Sequence, residues 1–256
     1  MSEVSPSRAP IDAWQANQLR LTFFAAPDAL PLRPQGWWEA VMGVAPVRIE
    51  DRPRAGQHLE EGFFLDGQLT LNVTANRIDW ALGPTIDLDK GLEGVPGIGP
   101  FVPVRDEFAA RILTWLRLAP SCHRLAFGGR LLLPVSRREE GYHRLAAYLP
   151  FAPDPDRSSD LRYEINRHRD SRVQPGLTIN RLQAWSVPRF RSTVVPTGTR
   201  LVVANVAGSE RFAVSFEPDV NTDAEFLEAL PAERIADLAK ELIDLATELA
   251  IEGDCQ

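Results

Sequence analysis

Apolar and polar residues alternate with a period of two along residues 17–25 (NQLRLTFFA). Leu19, Leu21 and Phe23 share one side and Arg20 and Thr22 the other, which predicts a strand with one buried face. Pro27, Pro31 and Pro34 keep the chain irregular until Gly36. Trp37 to Met42 then predicts a short helix, closed by Gly43 in the left-handed cap conformation. Two alternating runs, His58 to Leu65 and Gln68 to Ala75, flank Asp66-Gly67, a pair that tolerates positive φ and so predicts a hairpin turn. Arg77 to Leu82 is a further strand, with Ile78 and Trp80 on one face. Residues 83–103 hold five glycines and four prolines and predict irregular structure. Spacing then changes to the helical period: Phe108, Ile112, Trp115, Leu116 and Leu118 mark a helix from Val104 to Ala119, stopped by Pro120.

The second half repeats this order. Arg124 to Leu133 is a strand whose Gly128-Gly129 pair signals a bulge or a close backbone approach. Glu139 to Leu149 places Tyr142, Leu145, Ala146 and Leu149 at helical spacing, and residues 150–156 form a proline- and aspartate-rich loop. Strands are predicted at Leu161 to Arg169, Leu177 to Val187, Thr199 to Val206 and Arg211 to Phe216. A helix from Pro231 to Glu252 follows, with Ile235, Leu238, Leu242, Leu245 and Leu249 in one stripe. The expected fold class is therefore α+β, built as two pseudo-repeated β-α-β(3-4)-α units with antiparallel sheets, each covered by a helix. The expected boundaries are a disordered tail at 1–16, a first unit at 17–120 and a second at 121–256 that ends in a long acidic helix. If the units are repeats, Trp115 and Leu116 pack on Leu19, Leu21, Phe23 and Ile78. Leu238, Leu242 and Leu245 would pack likewise on Leu161, Ile165, Leu201 and Val203.

This element order resembles the fold of the TATA-binding-protein class. The second unit is also similar to a sporadically distributed family of bacterial proteins without an established activity. The likeness rests on a strand ending in Leu-Pro (LLLPV), a helix ending in Leu-Pro-Phe, long strands and an acidic C-terminal helix. That resemblance covers roughly the last 150 residues of the chain; it implies bacterial origin and nothing catalytic.

Composition narrows the class further. The 256 residues are 44% apolar and 25% charged, ordinary for a globular protein, and no apolar run approaches the roughly 20 residues of a membrane helix. The N-terminus has neither the apolar core nor the basic flank of a signal peptide. Two cysteines, Cys122 and Cys255, argue against a disulfide framework and for a reducing cytoplasm. Only Lys90 and Lys240 among the 28 basic residues are lysines, and prolines number 21, the coding bias of a GC-rich bacterial genome.

Motifs of catalysis and cofactor binding are missing from the sequence. The four histidines, His58, His123, His143 and His168, lack metal-ligand spacing. No nucleophile elbow, zincin motif or Walker loop occurs. The glycine-rich run from Gly91 to Gly99 does not join a strand to a helix, and Pro96 and Pro100 remove donors a phosphate would need. Asp87 and Asp89 lack the glycine spacing of a calcium loop. No cofactor, metal or catalytic residue is expected on these grounds.

Charge is the uneven property. Residues 157–200 carry nine arginines against Asp160, Glu164 and Asp170, whereas residues from Glu210 onward carry 13 acidic groups against Arg211, Arg234 and Lys240. The expected interaction surface is formed by Arg162, Arg167, His168, Arg169, Arg181 and Trp185 on two neighbouring strands. Arginines beside aromatics can grip phosphates and stack bases. The favoured reading is that this polar face pairs with the acidic terminal helix or is simply solvated, and a net charge of −7 opposes non-specific polyanion binding. The expectation is a non-catalytic protein-interaction module in a bacterial cytoplasm, which binds another protein and serves as an accessory in phage defence or a toxin–antitoxin pair. A nucleic-acid binder is the alternative, and an enzyme with a dispersed site the third reading.

Overall fold

Trp14 is completely buried, and the strand that follows it organises the whole sheet. A computed structural model describes residues 7–30, 32, 34, 36–85, 95–190, 193–197, 200–205, 210–226 and 228–254, with backbone alone at 193–197 and 200–205. Its strands are β1 (Gln15–Ala25), β2 (Arg48–Arg52), β3 (Gln57–Phe64), β4 (Gly67–Val73), β5 (Arg77–Pro84), β6 (Gly99–Pro100), β7 (Cys122–Val135), β8 (Arg162–Asp170), β9 (Thr178–Ser186), β10 (Arg189–Phe190), β11 (Thr193–Thr197), β12 (Arg200–Asn205) and β13 (Arg211–Thr222). Its α-helices among the described residues are α1 (Trp37–Met42), α2 (Phe101–Trp115), α3 (Arg138–Leu145) and α4 (Ile235–Glu252).

One antiparallel sheet runs through both halves in the order β2-β3-β4-β5-β1-β7-β13-β9-β8, with β6 added to β1 and β10 to β13; β11 and β12 form a separate two-stranded sheet. Register explains how the alternation is used. One row of directly opposed residues crosses all nine strands: Ile49, Glu60, Leu71, Trp80, Leu21, Phe127, Val220, Arg181, Arg167. It is apolar in the middle, where helices cover it, passes through Glu60 to Ile49 at the β2 end, and closes on Arg181 and Arg167 at the β8 end. The row one step along, on the opposite face, is Glu50, Leu59, Asn72, Asp79, Thr22, Ala126, Asn221, Asn180, His168. The sheet therefore has a helix-covered apolar face and an open polar face.

Aromatic rings fill the covered face in both halves. Trp115 of α2 meets Phe23 and Trp80 edge-on at 5.3 and 5.9 Å, and Trp38 of α1 stacks on Trp80 at 6.0 Å. On the other side, Trp185 stacks on Phe216 at 4.3 Å and on Tyr148 at 4.9 Å, with Trp14 against all three. Helix α4 buries Leu238, Leu242, Leu245 and Leu249, each contributing about 1.5–3 kcal/mol.

Several expectations change in the structure. The tail boundary moves earlier, because Trp14 is core and Gln15 and Ala16 already belong to β1. Helix α2 starts three residues before the expected Val104, with Pro103 accommodated in its first turn, where no amide partner is lost. Strand β13 continues past Phe216 through Pro218 to Thr222. Its pairing with β7 lapses at Glu217 and Pro218 while pairing with β9 persists, so the missing proline N–H falls in a gap. The hairpin turn is Leu65-Asp66, since Phe64 opposes Gly67. Gly67 is needed in the strand, where a Cβ would lie 2.6 Å from the Gly83 carbonyl oxygen, and Leu65 takes φ 52° instead. The Gly128-Gly129 expectation of close approach holds: a Cβ on Gly129 would sit 2.3 Å from the Gln18 carbonyl oxygen. Strand β2 was not expected at all. Leu201 and Val203, expected to pack under α4, have side chains outside the described residues, as do Asp87, Asp89 and Lys90 altogether.

Candidate interaction surface

The six expected surface residues lie on two different faces of the sheet. Arg167, Arg169, Arg181 and Trp185 point to the covered face, where Arg181 is 3% and Trp185 0% exposed. Trp185 is a core ring whose indole N–H donates to Gln183 Oε1 at 3.0 Å, so it offers no base a stacking platform. The three arginines are bound to the acidic end of the chain. Arg169 and Arg181 donate to the two oxygens of Glu248 at 2.8 and 3.2 Å, and Arg167 donates to Asp254 through Nε and Nη2 at 2.9 and 3.0 Å. This basic stretch is thus largely consumed by α4 and the turn after it.

Asp254 is the centre of that arrangement. It is 2% exposed and also accepts from Gln183 Nε2 at 3.2 Å and from the Tyr163 hydroxyl. Burial works against its charge, but Arg167 and Tyr163 outweigh that and hold its carboxyl below the usual range. Burial and the Asp254 carboxylate push the Tyr163 hydroxyl up to about 12. Gly253 makes the approach possible: it has φ 65°, and a Cβ there would lie 2.3 Å from the Tyr148 carbonyl oxygen, which accepts from Asp254 N. Earlier on α4, buried Glu241 accepts from Ser171 Oγ at 2.6 Å and Arg172 N at 2.7 Å. Nothing in the spacing of Gly253-Asp254 distinguishes this latch from a frayed terminus; only the glycine after the helix hints at an ordered cap.

Arg162 and His168 remain, on the open face. Arg162 pairs with Glu164 at 3.0 Å and Glu217 at 3.8 Å, and His168 lies beside Asn166 in a ladder that continues through Asn180 to Asn221. Elsewhere on this face Arg77 meets Asp79, Arg130 meets Glu217, and Arg48 and Arg52 meet Glu50. Each of these cations has a carboxylate in the same sheet, which is the opposite of a phosphate-gripping field.

Unsatisfied apolar surface gathers instead at one corner. Among the described residues Val44, Val47, Ile49, Phe63 and Leu65 are 62, 70, 57, 71 and 46% exposed; they flank or belong to β2 and β3 at the sheet edge, with Ile49 on the covered face and Phe63 on the open one. At the other end of the β2–β3 pair a cleft of about 480 Å³ is lined by Leu32, Pro34, Asp51, Gln57 and His58 among others. His58 bridges β2 and β3: Nδ1 lies 2.5 Å from Asp51 and Nε2 2.9 Å from Glu60. Burial lowers its pKa, but the two carboxylates more than reverse this, so the ring is held protonated above its ordinary value. With both nitrogens engaged, it is a clamp and not a poised base.

The described residues hold no group of His, Cys, Asp or Glu side chains suited to a metal ion. Cys122 is buried, which pushes its thiol up to about 12 and leaves it unreactive. No helix among the described residues is long and apolar enough to cross a membrane. No protein family, curated protein or solved structure matches the chain.

Proposed function

We propose that the protein is a non-catalytic protein-interaction module of the bacterial cytoplasm, and that it engages its partner through the corner formed by β2 and β3. The observation that carries this is the run of exposed Val44, Val47, Ile49, Phe63 and Leu65 along one sheet edge, on both of its faces, while the other large apolar side chains among the described residues are mostly buried. Apolar patches of this kind mark interaction sites on proteins that otherwise cover their cores. The arginines of β8 and β9 support the same choice by being engaged with Glu248 and Asp254, away from any partner.

The scaffold behind that corner is a duplicated unit in this proposal. In each half the opening strand lies beside the last strand of its meander (β1 beside β5, β7 beside β13), and the earlier strands extend outward in reverse order. Tryptophan clusters under both halves fit the same origin.

The test is affinity capture from the native host with the wild type, Phe63→Glu and Arg162→Glu side by side. A specific partner retained by Arg162→Glu and lost by Phe63→Glu is expected. Loss with Arg162→Glu alone, or a salt-sensitive nucleic-acid shift at low ionic strength, would replace this function with polyanion binding.

A further inference from the structure

We propose that the partner at this corner is a second copy of the chain, joined by antiparallel pairing of β2 with its own symmetry mate. This rests on the assignment of the corner as the interaction site and names its occupant.

The first support is the position of β2. It ends the strand path, so among the described residues one row of its backbone donors and acceptors faces outward with no strand beyond it. The opposite edge, β8, is guarded differently: Arg162, Glu164, Asn166, Arg167, His168 and Asp170 are all exposed, and its apolar Tyr163 and Ile165 are half-buried. On β2 an apolar side chain stands open, Ile49 at 57% exposure, with Val47 at 70% just before it.

The second support is charge complementarity, and symmetry makes it specific. Two identical edge strands pair antiparallel across a twofold only if the axis is normal to the sheet, because an axis lying along the strands leaves them parallel and turns the helices of the two copies to opposite faces. Such an axis requires one residue to face its own copy. Centring on Arg48 sets two arginines against each other. Centring on Glu50 sets glutamate against glutamate and Arg48 against Arg52. Centring on Ile49 sets Ile49 against Ile49 on the covered face, and Arg48 against Glu50 twice on the open face. Directly opposite like charges destabilise a strand pair and opposite charges stabilise it. Centring on Asp51 pairs Glu50 with Arg52 but sets Asp51 against Asp51, and centring on Arg52 sets arginine against arginine. Among the five β2 residues only Ile49 therefore gives a register without a like-charged pair, and it also buries the exposed isoleucine. A foreign strand would use the same hydrogen bonds, but nothing would make the sequence of β2 complementary to itself.

In this arrangement two nine-stranded paths join into one continuous sheet. The α1 helices flank the axis on the covered side, since Trp38 already packs beneath β3 at Gly62.

Sedimentation equilibrium over a range of concentrations tests it, with five proteins: wild type, Ile49→Asp, Arg48→Glu, the exchange Arg48→Glu/Glu50→Arg, and Ile49→Cys. Expected are a dimer for the wild type and at least roughly tenfold weaker association for Arg48→Glu, which turns two attractive cross-strand pairs repulsive. Association should be lost in Ile49→Asp and recover in the exchange variant relative to Arg48→Glu, though below wild type because the exchange also breaks the intrachain pairs Arg48–Glu61 and Arg52–Glu50; mild oxidation should cross-link Ile49→Cys to itself. These are exposed positions, and unchanged circular dichroism separates loss of pairing from loss of fold. A wild type that stays monomeric at every concentration overturns the proposal, as does a dimer indifferent to Ile49→Asp. If that monomer still captures a different protein in a Phe63-dependent way, the corner stands as an interaction site and only its occupant is wrong.

Discussion

Asp254→Ala removes the acceptor on which the last turn of the chain is fastened. Four donors converge on the carboxylate, yet they lose unequally. Arg167 is 45% exposed at its side chain and regains water, so its loss contributes least. Gln183 is fully buried and is left with an unmet amide donor, which costs about 1–3 kcal/mol. The tyrosine hydroxyl also loses its acceptor. A total of about 2–3 kcal/mol follows, with roughly half that for Asp254→Asn, which keeps the volume and one acceptor oxygen. Urea unfolding followed by tryptophan fluorescence measures it, since Trp185 and Trp14 lie in the neighbouring ring cluster. The pH dependence has a definite sign. The folded carboxyl lies below its unfolded value, so its contribution is fully present above the unfolded pKa of about 3.9 and disappears as pH falls through the depressed folded value. The gap between wild type and Asp254→Ala should be flat at neutral pH and close only below about pH 4. A variant within about 0.5 kcal/mol of wild type at pH 7 would refute the latch, because surface substitutions ordinarily fall in that range.

Three other perturbations have clear directions. His58 titrates above its ordinary value, so its contribution is present below the unfolded pKa of about 6.5 and is lost as pH rises through the folded value; stability should fall across that interval in the wild type and not in His58→Ala. Gly129→Ala should destabilise by about 2 kcal/mol or more, as its Cβ meets the Gln18 carbonyl oxygen at 2.3 Å. Gly83→Ala, with nothing within 4 Å, should stay within about 0.5 kcal/mol; chemical denaturation compares the two. Leu65→Asn should raise the melting temperature, since leucine at φ 52° costs about 1–2 kcal/mol that asparagine largely avoids, and calorimetry reads it directly.

Legibility in the sequence followed burial. Strands β1, β4 and β5 bury every second residue, and their alternation shows; α4 buries a leucine stripe at helical spacing, and that shows as well. Strand β2 buries nothing, since Arg48, Ile49, Asp51 and Arg52 are all exposed, so it carries no period to detect. The continuation of β13 was hidden by Pro218, which reads as a strand breaker until the gap in pairing is known. At Asp66-Gly67 the local turn signal misled by one position because a tertiary contact with Gly83 claimed the glycine. The arginine-rich strands were visible as charge, and pairing with the acidic terminal helix was one of the uses the charge balance offered; which arginine meets which carboxylate was not legible. Alternation gives the parity of Arg162 and His168 against Arg167 and Arg181, whereas the acceptors, Glu248 and Asp254, lie more than 60 residues away and no local spacing encodes that pairing.

Hydrogen–deuterium exchange measured at low and high protein concentration, or with and without a captured partner, locates the contact without presupposing it. Protection should rise in residues 47–52 and 61–65 on association, while the opposite edge at Arg162–Asp170 and the ladder around Asn221 stay unchanged. Protection that falls on β8 and the open face, with β2 still exchanging freely, would contradict the assignment of the β2–β3 corner as the site of interaction.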